Sequence, residues 1–168
     1  LLKAQRLNPN MPEIHNLLGI VYHTLNELEL SLDHYQKAIV LKKDFSEAYN
    51  NMGTVLIDLG RYDDAIDAFN VALSDILYKT PSWAEGNLGF AYYKKGDSKQ
   101  AIKHLTNAIA TDPKFCRGYE YLVEVFNGLN EYDSVMTNSN RFEKHCHNNK
   151  KIRKTIPVEY IYKMKYYR

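Results

Sequence analysis

The chain has 168 residues, 45% hydrophobic and 25% charged, with a formal net charge of +2. This is the composition of an ordinary folded domain, and no apolar stretch approaches the roughly 20 residues that a membrane span needs. The charge is unevenly placed: from Asn148 onward seven basic residues stand against Glu159 alone, so the remainder of the chain is acidic.

In chain order, Leu1, Ala4 and Pro9 fall where a repeated unit would end its second helix, so residues 1–11 read as a partial unit. The reading leaves room upstream for a signal peptide, a lipidation cysteine or a further domain. Three full units follow, at 12–45, 46–81 and 82–115, each with a glycine at its eighth place: Gly19, Gly53 and Gly89. Sixteen residues after each glycine stand Tyr35, Phe69 and Leu105, and nineteen after it Ala38, Ala72 and Ala108. The glycines lie 34 and then 36 residues apart, so the second unit carries a two-residue insertion. Tyr119, Leu122, Phe126 and Tyr132 continue the pattern into a diverged unit, 116–147, and a basic, tyrosine-rich tail occupies 148–168.

Glycine and alanine at fixed places remove bulk where antiparallel helices approach, while Tyr22, Tyr92, Tyr35 and Phe69 fill the space between them. Turns are expected at Asn26–Glu27, Gly60–Arg61 and Gly96–Asp97, where Asn or Gly takes the left-handed conformation that ends a helix. Asn8–Pro9 and Asp112–Pro113 close their units because proline cannot continue the preceding helix. A single unit cannot bury its apolar face alone, so the core is expected as a continuous strip shared between neighbours.

On these residues the chain resembles the tetratricopeptide repeat family, whose 34-residue unit is a helix-turn-helix. The resemblance implies an all-α solenoid of antiparallel helix pairs forming a right-handed superhelix, with the first helices on its concave side. It also implies inward positions at the second, fifth, ninth, twelfth and thirteenth places of each unit. Those places hold Asn16, Ile20 and His23 in the first unit; Asn50, Thr54, Ile57 and Asp58 in the second; and Trp83, Phe90, Tyr93 and Lys94 in the third. Such a groove suits an extended or helical peptide, with Phe90, Tyr93 and Trp83 as apolar anchors. Asn16 and Asn50, with Asn51 or Asn87, either hydrogen-bond its backbone or satisfy neighbouring repeats. Cochaperones of the family hold a carboxylate with Lys and Arg; here Asn16, Ile20 and Trp83 stand in the corresponding places, and the clamp is missing.

No phosphate loop, serine elbow, His-Glu-x-x-His or paired Cys-x-x-Cys occurs, and His15, His23, His34 and His104 are scattered over different helices. Asp63 and Asp64 open a second helix, where they favour its dipole. A binding module is expected, without enzymatic activity or cofactor. Cys116 and Cys146 stand at the first and thirty-first places of the diverged unit, which an antiparallel pair brings side by side. They are either a disulfide in an oxidising compartment or two thiols in a reducing one. His145 and His147 flank Cys146, but adjacent helical residues point in different directions and make a poor metal-ligand set.

A narrower resemblance lies around the insertion. Asp75, Tyr78, Pro81, Ala84, Asn87 and Gly89 match the linker of the type IV pilus pilotins, outer-membrane lipoproteins built from tetratricopeptide repeats, and Tyr49-Asn-Asn-Met-Gly53 and Asp112-Pro-Lys-Phe115 also fit. Ile76 departs from the pattern, standing where proline is common. Ile57 and Ala91 lie near where the family has cysteines. The resemblance implies an adaptor at the periplasmic face of the outer membrane, tethered through an N-terminal lipid outside this chain, that binds secretin subunits and promotes their delivery and assembly. A generic repeat scaffold or cochaperone-like adaptor, cytoplasmic or periplasmic, is the alternative.

In the tail, Val158, Tyr160, Tyr162, Met164 and Tyr166 alternate with Glu159, Ile161, Lys163, Lys165 and Tyr167, a period that favours extended chain. It reads as a solvated terminus, as a capping helix opened by Pro157, as a segment that docks into a groove, or as a patch attracted to anionic surfaces. No second basic face accompanies it, which argues against nucleic acid.

Overall fold

The glycine schedule becomes a schedule of helix pairs. The computed structural model describes residues 8–146, and the expectations for 1–7 and for the tail from 147 lie outside them. Among the described residues there are eight α-helices and no strand: α1 (Pro12–Thr24), α2 (Leu28–Leu41), α3 (Ser46–Asp58), α4 (Tyr62–Ser74), α5 (Pro81–Lys95), α6 (Ser98–Thr111), α7 (Cys116–Gly128) and α8 (Tyr132–His145). Each packs against the helix before and after it in the chain.

Every helix pair turns on the same device. Asn26, Gly60, Gly96 and Asn130 have φ values of 61°, 74°, 97° and 60°, the left-handed conformation expected at the first three. The next residue's N–H then reaches five residues back: Glu27 to the Tyr22 carbonyl, Arg61 to Leu56, Asp97 to Tyr92 and Glu131 to Phe126. This two-bond closure satisfies carbonyls that the helix end would otherwise leave open. Asn130 shows that the diverged fourth unit keeps the turn.

The eighth-place glycines are spacers between paired helices. A Cβ built on Gly19 would stand 2.5 Å from the Tyr35 ring, and one on Gly53 2.6 Å from the Phe69 ring. At Gly89 the neighbours are Leu105 and the Ala101 carbonyl. Tyr35, Phe69 and Leu105 are fully buried there, which explains why the residue sixteen places on is large. Tyr22 stacks on His34 and Tyr92 on His104, closing the same pairs from the side.

Between units, a ring from each connecting loop plugs the gap between two small residues. Phe45 sits with Ala38 and Ala48, and Tyr78 sits with Ala72 and Ala84. Phe115 contacts the places where side chains on Gly86 and Gly118 would stand. The two-residue insertion therefore leaves the plug in place. It projects Ile76 and Leu77 into solvent, 96% and 82% exposed. Asp75 pins the loop: one carboxylate oxygen accepts from the Leu77 N–H and the other from the Ser46 hydroxyl. Those bonds hold its carboxyl below the usual carboxylate range, the Ser46 hydroxyl contributing most.

The last pair is joined covalently. Cys116, opening α7, and Cys146, just past α8, form a disulfide with their Cα atoms 5.8 Å apart. Cys146 is thus a bonded sulfur and not a metal ligand, and among the described residues no three of His, Cys, Asp and Glu gather in a metal-holding group.

Candidate functional site

Curvature decides which surface can receive a partner. The first helices α1, α3, α5 and α7 touch their counterparts in the next unit directly, whereas the second helices make no comparable contacts with one another. An array held closer along its first helices bends toward them, and their free faces form the inner surface.

At its N-terminal end that surface is polar and mostly self-satisfied. The Asn51 amide donates to Asn16 Oδ1 at 3.1 Å, and the Asn87 amide donates to Asn50 Oδ1 at 3.1 Å. Asn16, Asn50 and Asn87 are buried. Of the two roles open to these asparagines, the geometry uses the side chains to tie neighbouring repeats together, because a buried amide must find a partner inside the fold. Thr54 donates its hydroxyl to the Asn50 carbonyl one turn earlier, at 3.2 Å. His23 Nε2 lies 2.6 Å from Asp58 Oδ2, bridging α1 to α3 at the edge of the groove. Ile20 remains 41% exposed.

Ile57 departs from the expected inner position. It is buried in the core cluster with Leu32, Phe69, Leu88 and Ala91, and so presents no free face to a partner. Its place follows from α5 closing over the end of α3: an isoleucine between two packed helices gains more from burial than from water.

Toward the third and fourth units the surface turns aromatic. Phe90 stacks on Tyr121 with ring centroids 4.0 Å apart and planes 12° apart, and Tyr93 tilts against Phe90 at 6.2 Å. Lys94 Nζ lies 4.8 Å from the Phe90 centroid and 5.6 Å from that of Tyr93. It also reaches Glu124 Oε1 at 3.2 Å, so the aromatic patch carries a neutralised ion pair at its rim. Phe90, Tyr93 and Tyr121 are half-buried. Burial pushes the Tyr121 phenol up, with Arg117 partly opposing it. Trp83 is 53% exposed and leans on Phe115 with centroids 5.8 Å apart.

The change has a local cause. In the first two interfaces the fifth-place side chain of one unit, Asn16 or Asn50, meets the sixth-place side chain of the next, Asn51 or Asn87. In the third interface the fifth place is Gly86, whose missing side chain makes room for Phe115. The sixth-place Tyr121 then has no amide partner and lies on Phe90 instead. Tyr121 was absent from the residues singled out in the sequence, although it stands at the offset of Asn51 and Asn87, and that offset was the available signal.

What this arrangement offers is recognition: a polar stretch, an aromatic patch flanked by a lysine and a glutamate, and an exposed tryptophan. No helix among the described residues is long and apolar enough to cross a membrane.

Comparison with known proteins agrees with that geometry. Two models described as tetratricopeptide repeat match the chain, over residues 44–114 and 12–45. In sequence it is 27% identical over 113 residues to the peroxisomal targeting signal receptor of Candida albicans, covering 65% of this chain and 19% of that protein. It is 28% identical over 109 residues to the type IV pilus assembly protein PilF of Pseudomonas aeruginosa, covering 65% of this chain and 43% of that one. The chain thus spans less than half the length of either relative. In structure it superposes on PilW, a widely conserved type IV pilus biogenesis factor, with a TM-score of 0.82 at 21% identity, over 88% of this chain and 68% of that one.

Proposed function

Because the chain belongs to the tetratricopeptide repeat family, we propose that it is a non-enzymatic adaptor whose concave face holds a segment of a partner protein, the partner being a secretin subunit. On this reading it resembles a type IV pilus pilotin, escorting secretin subunits at the periplasmic face of the outer membrane and promoting their assembly there. A lipid upstream of this chain would supply the tether.

The observation that carries the binding mode is the stacked Phe90–Tyr121 pair with Tyr93 and Lys94 on the inner face. Apolar rings left half-open beside a lysine are suited to anchor an apolar side chain while the rim holds its backbone or charge. Similarity to PilF and PilW, together with the Asp75–Tyr78 linker that Ser46 and the Ala72–Ala84 gap hold at its two ends, supports the choice of partner. Similarity to a targeting-signal receptor keeps a second reading in view, a scaffold of the same fold for other peptides.

The test is capture of secretin from envelope extracts by the wild-type chain and by the Phe90→Ala/Tyr93→Ala variant. Recovery by the first, at least tenfold reduced in the second with unchanged helical circular dichroism, is the expected result. Recovery of equal amounts by both sinks the groove, and recovery of no secretin sinks the pilotin role.

A further inference from the structure

Each loop that joins one unit to the next emerges at the same end of the helices, because a second helix always precedes it and a first helix always follows. The loops at 42–45 and 112–115 carry their plug rings, Phe45 and Phe115, on four residues, whereas the loop at 75–80 uses six to carry Tyr78. The surplus goes outward as an adjacent apolar pair. Ile76 and Leu77 are the two most exposed large hydrophobic side chains among the described residues. The tip they form is tied at both ends, by Asp75 to Ser46 and by the buried Tyr78 ring. Its backbone is partly satisfied from within: Asp75 accepts from the Leu77 N–H, and the Tyr78 N–H returns to the Asp75 carbonyl at 3.1 Å. An apolar surrounding demands such internal pairing of any backbone it receives.

The same end carries amphipathic side chains. Lys42, Lys43, Lys79 and Lys114 are exposed, and lysine stems lie along apolar surface while their ammonium groups reach outward. Trp83, half-exposed in the first turn of α5, offers a ring of the kind that settles at a membrane–water boundary. Asp75 and Asp112 turn an oxygen to a backbone N–H of their own loops, and Asp44 alone of the three loop aspartates is exposed. Asp44 and the neighbouring Glu47 keep the net charge of this end small, so the apolar pair supplies most of the attraction and the lysines add to it. A protein pocket that received Ile76 and Leu77 would have no use for lysines on three separate loops, whereas a phospholipid interface uses both.

We propose that this end of the array rests on a phospholipid surface, with Ile76 and Leu77 dipping to the acyl boundary and Lys43, Lys79 and Lys114 meeting lipid phosphates. The contact lies apart from the aromatic patch and goes beyond the adaptor reading, since it orients the array on a membrane whatever the groove holds.

Because the chain from Asn148 is basic, attraction of the whole protein to vesicles decides nothing, and depth at the tip has to be read. The reporter is Leu77→Trp in a Trp83→Phe background, mixed with vesicles of phosphatidylethanolamine and phosphatidylglycerol brominated on their acyl chains. Its emission should be quenched, and adding Ile76→Asp should raise the lipid needed for half-quenching about tenfold. Lys79→Glu/Lys114→Glu should raise it severalfold, and Phe90→Ala/Tyr93→Ala should leave it unchanged. Circular dichroism verifies that every variant remains helical. An unquenched reporter overturns the proposal, as does quenching indifferent to Ile76→Asp. Quenching lost with Phe90 and Tyr93 overturns it in favour of an acyl chain in the groove. An unquenched reporter together with secretin capture weakened by Ile76→Asp/Leu77→Asp overturns it in favour of a protein contact at the loop. Failure of secretin capture by the wild-type chain sinks the pilotin role and leaves the quenching result standing.

Discussion

The Asn87 amide meets Asn50 at the same 3.1 Å that joins Asn51 to Asn16, although 37 residues separate the first pair and 35 the second. The insertion in the second unit is therefore absorbed entirely in the connecting loop, and the helices stack in the register of a regular array. The two extra residues change what the loop shows to solvent and leave the inner face as it was.

Asn50 is the most exposed to test, because its removal strands a buried amide on Asn87. Replacing Asn50 by Ala should cost about 1–3 kcal/mol, the penalty of an unsatisfied buried donor. Urea unfolding followed by circular dichroism measures it. Replacing the Asn50/Asn87 pair by apolar residues of similar size should cost less than the single change, and a larger loss would show that the ladder acts otherwise than by mutual satisfaction.

Gly53→Ala should destabilise through contact with the fully buried Phe69 ring. Overpacking of this kind costs about 1–3 kcal/mol. Phe69→Leu in the same chain should recover part of the loss, because the clash is with the ring and not with backbone. Lack of any recovery would locate the strain elsewhere. Thermal melts of the two single variants and the double variant complete the comparison.

Reduction of the Cys116–Cys146 bond should loosen the fourth unit. The bond closes a separation of 30 residues, for which chain entropy gives at most about 3–4 kcal/mol. In a repeat array the loss should concentrate in α7 and α8, so amide exchange there should accelerate while α1 to α4 stay protected. Uniform acceleration along the chain would contradict a local role.

The first pair contains a pH-sensitive contact. His15 Nε2 lies 3.0 Å from the Pro9 carbonyl, which can only accept, so Nε2 carries the proton. With that proton on Nε2, His15 Nδ1 is left to accept, and His34 Nδ1–H donates to it at 3.0 Å. Burial foremost, then His15 and Lys37, pull the His34 imidazole below its ordinary 6.5, with Asp33 opposing. The unfolded chain therefore binds the proton more readily than the folded one. Stability from this site is present above about pH 6.5 and is lost as pH falls below it. Melting temperatures between about pH 7 and pH 5 should fall more steeply for wild type than for His34→Gln. Parallel slopes would remove His34 from the account.

The repeat was legible in the sequence because its causes are local or strictly periodic. A glycine eight places into each first helix, a large residue sixteen later and Asn or Gly at the turn each answer to a contact within one helix pair. Helix type, helix order and the turns at Asn26, Gly60 and Gly96 followed from that alone. Other decisions belonged to the stacking of units. Whether Asn16 and Asn50 face a ligand or a neighbour depends on where Asn51 and Asn87 arrive from the next unit. Ile57 is core because α5 covers it, and Tyr121 joins the aromatic patch because Gly86 leaves its amide position empty. The choice between thiols and a disulfide turned on the separation of Cys116 and Cys146. Sequence determined the unit, since its glycine, the large residue sixteen places on and its turn answer to contacts within one helix pair. Only the tertiary structure decided which side chains of the inner face remained free, since that depends on distances between residues more than thirty places apart, set by helices packing against helices.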